Sequence, residues 1–355
     1  MRSICSIIFL SFFIYQADFS FSQQRDEVDS LQSAVYLMND DTNKVIPLRN
    51  LVRKITNRGE YLKAYQAAMS LLEISEKLNY EKGKAFAYNE FAIIYDKQGI
   101  YGEALNYHEK ALSIRRAIED KKGIAGSLNN IGILYDNTKN YSRALKFYHE
   151  ALEIKRQRYD SVGMATTLTN IGIINRKQCK YAEALHNHIA ALEVFIKTND
   201  NNEIAGSYNS IGRVYDAEGK YEEALKNYFK AVNIYRENKY LSNIPSVLNN
   251  IASVYFSLQK FSEAEKFYIE ASAISNQLGN FEDLKNSYEG FALLYERTKQ
   301  TKKELKFYKL YWELNDSLSA VTISEIEKRN VEQLSFQKQL AYVNAEHEKE
   351  ILQAS

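Results

Sequence analysis

The protein has 355 residues, of which 45% are hydrophobic and 26% are charged, and its 46 Lys and Arg nearly balance its 45 Asp and Glu. This composition is that of a packed protein rather than a disordered chain, and a net charge of +1 gives no general attraction for nucleic acid. Because there are only two prolines and no alternating runs of β-branched residues, we expect an all-α protein.

The first 22 residues differ from the rest of the chain. MRSICSIIFLSFFIY has one arginine and then an apolar run of about a dozen residues, shorter than the roughly 20 that a membrane-spanning helix needs. Ser20 and Ser22 supply small residues for cleavage before Gln23. We therefore expect a signal peptide over residues 1–22, a lead-in over 23–42, and export to the periplasm. An uncleaved anchor in the inner membrane is the alternative.

The chain contains two cysteines. Cys5 would be removed with a cleaved signal peptide, so that Cys179 would remain alone and no disulfide could form within the chain. Cys179 lies in a predicted turn without a neighbouring histidine, which argues against a nucleophile.

A forty-residue repeat runs from residue 43 to residue 318. Its markers are an aromatic residue, an alanine three positions later and a second alanine seven positions after that. They recur at Tyr101, Tyr141, Tyr181, Tyr221 and Phe261, at Ala104, Ala144, Ala184, Ala224 and Ala264, and at Ala111, Ala151, Ala191, Ala231 and Ala271. We predict about seven repeats. The last is degenerate, because Thr301 and Glu304 replace the aromatic residue and the first alanine.

The spacing of apolar residues predicts two helices in each repeat. A first stripe, with i, i+3, i+4 and i+7 spacing, consists of Leu128, Ile131, Gly132 and Tyr135. After the break DNTKN, a second stripe consists of Tyr141, Ala144, Leu145, Tyr148, Ala151 and Leu152. One helical hairpin cannot bury both stripes, so we expect successive hairpins to stack into an array.

The phrase NNIGILYDNTKNYSRALKFYHEALEIKR closely resembles a tetratricopeptide repeat, whose signature positions are occupied by Gly132, Tyr135, Ala144, Tyr148 and Ala151. The resemblance implies a right-handed superhelical solenoid whose first helices line a concave groove. The period exceeds the usual value of about 34 residues. We assign the extra length to the second helix, with Gly123 as its C-cap. Repeats of this length resemble those of peptide-binding regulators and cargo adaptors.

A ladder of polar and apolar residues lies beside the core stripe of the first helices. Counted at about 100° per residue, Asn129, Ile133 and Asp136 fall about 80° to 140° from Leu128, on the face that the resemblance places in the groove. The ladder consists of Asn89, Asn129, Asn209 and Asn249, then Ile93, Ile133 and Ile173, then Asp96, Asp136 and Asp216, with Arg176 and Arg213 in two repeats.

The ladder has two interpretations. A carboxamide donates and accepts hydrogen bonds, so the asparagines could hold the main chain of an extended peptide while the isoleucines take apolar side chains. Arg176 and Arg213, on adjacent first helices, would suit a C-terminal carboxylate. Alternatively, asparagine is a tolerated polar residue beside the core, and duplication alone preserves its register.

No signature of an enzyme, a cofactor or a metal site is found in the sequence. There is no glycine-rich phosphate loop, and His186 and His188 diverge by about 200° on one helix, so they cannot share a metal ion. His108 and His188 take the aromatic core position that Tyr148 and Tyr228 hold in other repeats, and we expect both to be buried.

Residues 319–355 form a charged tail without glycine or proline, which predicts a long helix. A coiled coil is the alternative to a single helix, although the apolar residues of the tail keep no clean heptad. The phrase YWELNDSLSAV before this helix resembles the segment that follows the repeats in exported bacterial sensor proteins, particularly those of Bacteroidetes. In those proteins a transmembrane helix and a histidine kinase or DNA-binding domain usually follow.

The resemblance implies a non-enzymatic scaffold that binds a peptide or protein segment as an extracytoplasmic signalling or assembly component. We expect no nucleic-acid partner, and membrane attachment only through an uncleaved N-terminus or a missing downstream segment. The alternatives are a structural spacer that self-associates through the tail helix, and the sensing part of a longer histidine kinase or transcriptional regulator.

Overall fold

A computed structural model describes residues 29–316, and every regular element in this range is helical. Helical residues 29–36 come first and helical residues 301–316 come last. Between them lie α1 (Thr42–Asn57), α2 (Tyr61–Lys77), α3 (Glu81–Lys97), α4 (Tyr101–Ala117), α5 (Lys121–Asn137), α6 (Tyr141–Gln157), α7 (Ser161–Lys177), α8 (Tyr181–Lys197), α9 (Asn201–Ala217), α10 (Tyr221–Glu237), α11 (Ile244–Ser257), α12 (Phe261–Leu278) and α13 (Phe281–Arg297). The expected all-α fold is confirmed.

The helices alternate as the first and second helices of successive repeats. The odd-numbered helices are first helices and the even-numbered ones are second helices, and α5 and α6 each contain 17 residues. A 3-10 turn, Leu241–Asn243, takes the place of the first turn of α11, where Pro245 sits at the helix start. Proline suits that position because the first N–H groups of a helix have no partner within it.

The helices form two compact blocks, each with its own core. The described part of the N-terminal block is residues 29–134 and that of the C-terminal block is residues 135–316. Within each block, consecutive helices pack on one another. Buried Leu48, Leu51 and Phe91 belong to the first core, and buried Tyr228 and Leu248 belong to the second.

Glycine on a first helix makes room for an aromatic ring on the second helix. A Cβ atom added at Gly212 of α9 would lie 2.6 Å from Cε1 of Tyr228 on α10. A Cβ atom added at Gly172 of α7 would lie 2.7 Å from Cε1 of His188 on α8. Because real Cβ atoms do not approach carbon so closely, the absence of a side chain at these positions lets the helices meet.

The expected burial of the two core histidines is confirmed. His108 and His188 are 2% and 1% exposed. Burial, together with the charge of Arg115, lowers the pKa of His108 to about 3. Burial, together with the charges of Arg176 and Arg213, lowers the pKa of His188 to about 4. Both imidazoles are therefore neutral at neutral pH.

Each turn between consecutive helices of the array contains one residue with a left-handed backbone conformation. Gly123 is not part of such a turn. Helix α4 ends at Ala117, and the turn residue is Glu119 with φ 55°. Gly123 already lies in the first turn of α5, where its N–H donates to Asp120 Oδ1 at 3.0 Å. The prediction of Gly123 as a C-cap was wrong, because the next helix begins earlier than expected.

The proposed signal peptide (1–22) and the tail (319–355) lie outside the described residues. No helix between residues 29 and 316 is long and apolar enough to cross a membrane.

Candidate ligand-binding face

In the N-terminal block, the amide of Asn89 is used within the protein. Its side chain is 3% exposed. Its Oδ1 accepts a hydrogen bond from Nδ2 of Asn130 on α5 at 3.2 Å, and its Nδ2 donates to Oε1 of Glu90 at 3.4 Å. Buried amides require such partners. The side chain therefore joins neighbouring first helices.

The other predicted positions of the N-terminal block are more accessible. Asn129, Ile93 and Asp96 are half-buried. Ile133 is 36% exposed, which is high for a large apolar side chain within a helix of a packed array. Whether these residues contact a ligand stays a prediction.

Hydrogen bonds between asparagine side chains of neighbouring repeats were not predicted from the sequence. In the C-terminal block, Nδ2 of Asn250 donates to Oδ1 of Asn209 at 3.1 Å, as Asn130 does to Asn89 in the N-terminal block. The signal for this contact is the doublet of asparagines at residues 129–130 and 249–250. The second asparagine of a doublet bonds to the ladder residue of the preceding repeat.

Both the nitrogen and the oxygen of the Asn249 side-chain amide make hydrogen bonds within the protein. It is 9% exposed, its Nδ2 donates to the backbone oxygen of Asp283 at 3.0 Å, and its Oδ1 accepts from Oγ of Ser287 at 2.8 Å. These bonds tie α11 to α13. Asn249 therefore helps to shape this face, and both kinds of hydrogen-bonding atom on its side chain already have a partner.

A pocket with a volume of about 360 Å³ opens between α11 and α13 in the C-terminal block. Three of the residues around it, Arg213, Ser253 and Leu293, come from α9, α11 and α13 and are forty residues apart in sequence. The repeat therefore brings equivalent positions of three first helices to one cavity. Polar and charged lining residues also include Asn249, Asp283, Asn286 and Glu289.

Two arginines on this face form no ion pair with any described residue. Arg176 on α7 is half-buried and Arg213 on α9 is exposed, and the two helices contact each other. Within residues 29–316, neither guanidinium makes a hydrogen bond or an ion pair. Burial, and after it the positive charge of Arg213, lowers the pKa of Arg176. The charge of Arg213 therefore disfavours the charged form of the Arg176 guanidinium.

The acidic ladder residues Asp136 and Asp216 differ in whether a lysine pairs with them. Asp136 accepts a hydrogen bond from Nζ of Lys177 at 2.7 Å, so its charge is paired. Asp216 occupies the equivalent position, but Ser257 stands where a second lysine would be needed. Burial raises the pKa of Asp216, and the nearby Tyr228 hydroxyl and then the charges of Arg213 and Arg176 oppose this rise. Ile173 is half-buried on the same face.

No three His, Cys, Asp or Glu side chains in the described range are grouped so that they could hold a metal ion. Cys179 is exposed in an interhelical turn, with φ 60°. The chemistry that this face offers is therefore hydrogen bonding and charge, from amide, hydroxyl, guanidinium and carboxylate groups.

Comparisons with solved structures show the fold. The apo form of RapI is 18% identical, with a TM-score of 0.63 over 78% of this chain and 99% of that one. NprR in complex with its cognate peptide NprX is 19% identical, with a TM-score of 0.54 over 88% and 94%. A signal transduction ATPase with a tetratricopeptide repeat sensor, from Pyrococcus horikoshii, is 19% identical, with a TM-score of 0.64 over 81% and 44%.

The comparison with curated proteins found no match. The family model of the tetratricopeptide repeat matches residues 84–157, 163–237 and 243–314, which together make up more than half of the chain. These ranges contain the helix pairs whose glycine, aromatic and alanine positions were described above. The chain therefore belongs to the tetratricopeptide repeat family.

Proposed function

We propose that this protein is a scaffold that binds a peptide or protein segment on the exposed face of its first helices. The observation that carries the proposal is the 360 Å³ pocket, where equivalent positions of α9, α11 and α13 meet. A volume of a few hundred Å³ is typical of ligand sites. The NprR structure with its cognate peptide supports the same kind of partner.

The polar groups of the pocket suit an extended main chain. A peptide presents an N–H and a C=O at each residue, and Asn286 and Ser253, both exposed, carry side chains that donate and accept. Because the amide of Asn249 is already bonded, we assign the ligand contacts in this pocket to Asn286, Ser253 and Arg213. Within the C-terminal block, the ladder residues Asn209 and Ile173 would extend this site. Asn129, Ile93 and Ile133 stay predicted ligand contacts of the N-terminal block.

Selection from a library of random peptides tests the proposal. The full chain is immobilised, peptides are selected, and the dissociation constants of the best ones are measured by titration. We expect Ser253→Trp, which fills the pocket, to weaken binding by about tenfold or more. Ser262→Trp places the same side chain at an exposed position of α12 and is expected to bind as the wild type does.

Two outcomes would contradict the proposal. In one, no peptide is enriched above a support without protein. In the other, Ser253→Trp keeps full affinity at an unchanged melting temperature, which would place the ligand elsewhere.

We infer that this scaffold works outside the cytoplasm as a signalling or assembly component. The arginine and short apolar run of residues 1–22 support export, and the likeness of YWELNDSLSAV to exported sensor proteins supports signalling. Sequencing the N-terminus of the native protein in each cell fraction tests the location. We expect a start near Gln23 in the periplasm, whereas an intact Met1 in the membrane fraction would favour the anchored alternative.

A further inference from the structure

The turns between successive repeats of the C-terminal block present a row of exposed apolar side chains. These turns join α6 to α7, α8 to α9, α10 to α11 and α12 to α13. The side chains are 37–92% exposed and belong to Tyr159, Val162, Ile196, Tyr240, Leu241, Leu278 and Phe281. Leu241 and Phe281 are forty residues apart, so the repeat places them at matching points of neighbouring turns.

The opposite edge of the same block is polar. Its turns lie within repeats and join α7 to α8, α9 to α10 and α11 to α12. No described residue of these turns is a large apolar residue with an exposed side chain, and their exposed residues include Lys180 and Lys220. In the N-terminal block, the α4–α5 turn exposes Glu119, Lys121 and Lys122 instead. Single exposed apolar residues are common, but a row of them is typical of an interaction surface.

The two central turns of this row contact each other. Nδ2 of Asn201, at the start of α9, donates to Oδ1 of Asn238 in the α10–α11 turn at 2.8 Å. Nδ2 of Asn243 in the latter turn donates to Oδ1 of Asn202 on α9 at 3.2 Å. These bonds hold the turns side by side, so their apolar tips form one surface. We call the four turns, residues 155–164, 195–204, 235–244 and 275–284, the apolar edge.

The charges of the apolar edge follow a self-complementary order. In chain order, the net charges of its four turns are +2, −1, +1 and −2. The charged residues are Lys155, Arg156, Arg158 and Asp160 in the first turn, Lys197, Asp200 and Glu203 in the second, Arg236, Glu237 and Lys239 in the third, and Glu282 and Asp283 in the fourth. Lys155 is buried, but its hydrogen-bond partners, Gly163 O and Thr167 Oγ1, are uncharged.

This order selects the direction in which two copies of the edge can meet. Turned end to end, a second copy places +2 against −2 and −1 against +1, whereas two edges running in the same direction would place like charges together. The end-to-end arrangement also pairs apolar side chains. Tyr159 in the first turn would meet Phe281 in the fourth turn of the other copy, and Ile196 in the second would meet Tyr240 and Leu241 in the third. A twofold axis generates both halves of such a contact.

We propose that the apolar edge binds a second copy of this chain, with the two edges antiparallel across a twofold axis. An anionic lipid surface fits the edge less well, because the four turns together carry no net charge and the last one is negative. The contact uses the tips of the turns and needs no peptide, so it goes beyond the proposed function and is tested separately from it.

Charge reversal tests the antiparallel order. The dissociation constant of the full chain is measured by sedimentation velocity at about 1–100 µM protein. We expect the wild type to dimerise, and Arg156→Glu or Glu282→Arg alone to weaken the dimer about tenfold. The double variant Arg156→Glu/Glu282→Arg should regain the affinity of the wild type. Arg116→Glu is the matched control, because Arg116 is exposed at the equivalent position one repeat earlier, outside the apolar edge.

Replacement of the apolar tips tests the other half of the contact. We expect Leu241→Gln/Phe281→Gln to weaken the dimer by about tenfold or more, since two apolar side chains per copy no longer leave water. Ile189→Gln/Ile269→Gln changes two exposed apolar residues of α8 and α12 that lie away from the turns, and should dimerise as the wild type does.

Three results would overturn the inference. The first is a wild type that stays monomeric over the whole concentration range. The second is self-association that the folded edge variants leave unchanged, which would place the contact elsewhere, for example in the tail. The third is a double charge variant that does not regain affinity. If the glutamine variant of the edge melts at a lower temperature than the wild type, the charge-reversal series decides. None of these results affects the proposed function, which peptide binding tests.

Discussion

At the scale of single residues, His188 makes the stability of the fold depend on pH. The pKa of His188 in the folded protein is about 4, against an ordinary value of 6.5. Below pH 6.5 the unfolded chain takes up a proton that the folded chain refuses, so stability falls as the pH drops towards 4. The loss is about 1.4 kcal/mol for each pH unit.

Replacing this histidine should remove the part of the stability loss at low pH that it causes. Tyr228 packs on Gly212 as His188 packs on Gly172, so a tyrosine fits this environment. In urea unfolding at pH 7 and pH 5, we expect His188→Tyr to lose less stability than the wild type. His149→Tyr alters an exposed histidine and should follow the wild type. Equal losses for His188→Tyr and the wild type would show that the imidazole is protonated in the folded state.

Tyr159 offers a second prediction at this scale. It lies in a turn with φ 54° and is 92% exposed, so its side chain makes little contact that could offset the left-handed backbone. That conformation costs a non-glycine residue roughly 1–2 kcal/mol, part of which is cancelled by the greater freedom of glycine in the unfolded chain. We expect Tyr159→Gly to stabilise the protein by about 0.5–1 kcal/mol in urea unfolding.

The opposite change supplies the control. Gly219 occupies an equivalent turn with φ 79°, and Gly219→Ala should be destabilising. If Tyr159→Gly lowers the urea midpoint, the tyrosine ring contributes more than its exposure indicates.

At the scale of elements, two glycines of α9 should respond in opposite ways to alanine. A Cβ at Gly212 would meet the ring of Tyr228 at 2.6 Å, whereas the nearest atom to a Cβ at Gly206 is Tyr235 Oη at 3.6 Å. We expect Gly212→Ala to cost roughly 1–3 kcal/mol through overpacking. Gly206→Ala should be neutral or stabilising by up to about 1 kcal/mol, because alanine favours the helix.

Urea unfolding of both variants measures the difference. Similar effects of the two substitutions would mean that α9 and α10 can move apart without cost, and that glycine at residue 212 does not fix their distance.

At the scale of the whole molecule, the repeat predicts that one full period can be removed. Deleting residues 161–200 joins Asp160 to Asn201, and Asp160 then precedes α9 as Asp200 does. Lys155, whose Nζ donates to Thr167 Oγ1 at 2.6 Å, would meet the equivalent Ser207. Because stability in such arrays comes mainly from neighbouring repeats, we expect a helical protein that still unfolds cooperatively.

Circular dichroism and urea unfolding of the deletion variant check this expectation. Its free energy of unfolding should fall less steeply with urea concentration, because unfolding exposes less surface. Deleting residues 161–196 breaks the forty-residue register and should give a poorly folded chain. If both deletions behave alike, the contacts between repeats do not depend on register.

The sequence by itself determined the helices, their pairing and the family. The spacing of Leu128, Ile131 and Tyr135 defines one helical stripe, and a repeated stripe can be buried only by stacking. The burial of His108 and His188 followed from their register with Tyr148 and Tyr228. These features are local or periodic, so they can be read along the chain.

Only the tertiary structure decided which polar groups of the ladder already have a hydrogen-bond or ion-pair partner within the protein. Register placed Asn89, Asn249, Asp136 and Arg176 on similar faces. Asn89, Asn249 and Asp136 have partners on neighbouring helices, whereas the Arg176 guanidinium has none among the described residues. Asn249 bonds to Asp283 and Ser287, 34 and 38 residues away, and Asp136 bonds to Lys177, 41 residues away. The angle around one helix fixes the direction of a side chain. Whether that side chain stays unpaired depends on what the next helix presents to it, as Arg176 shows.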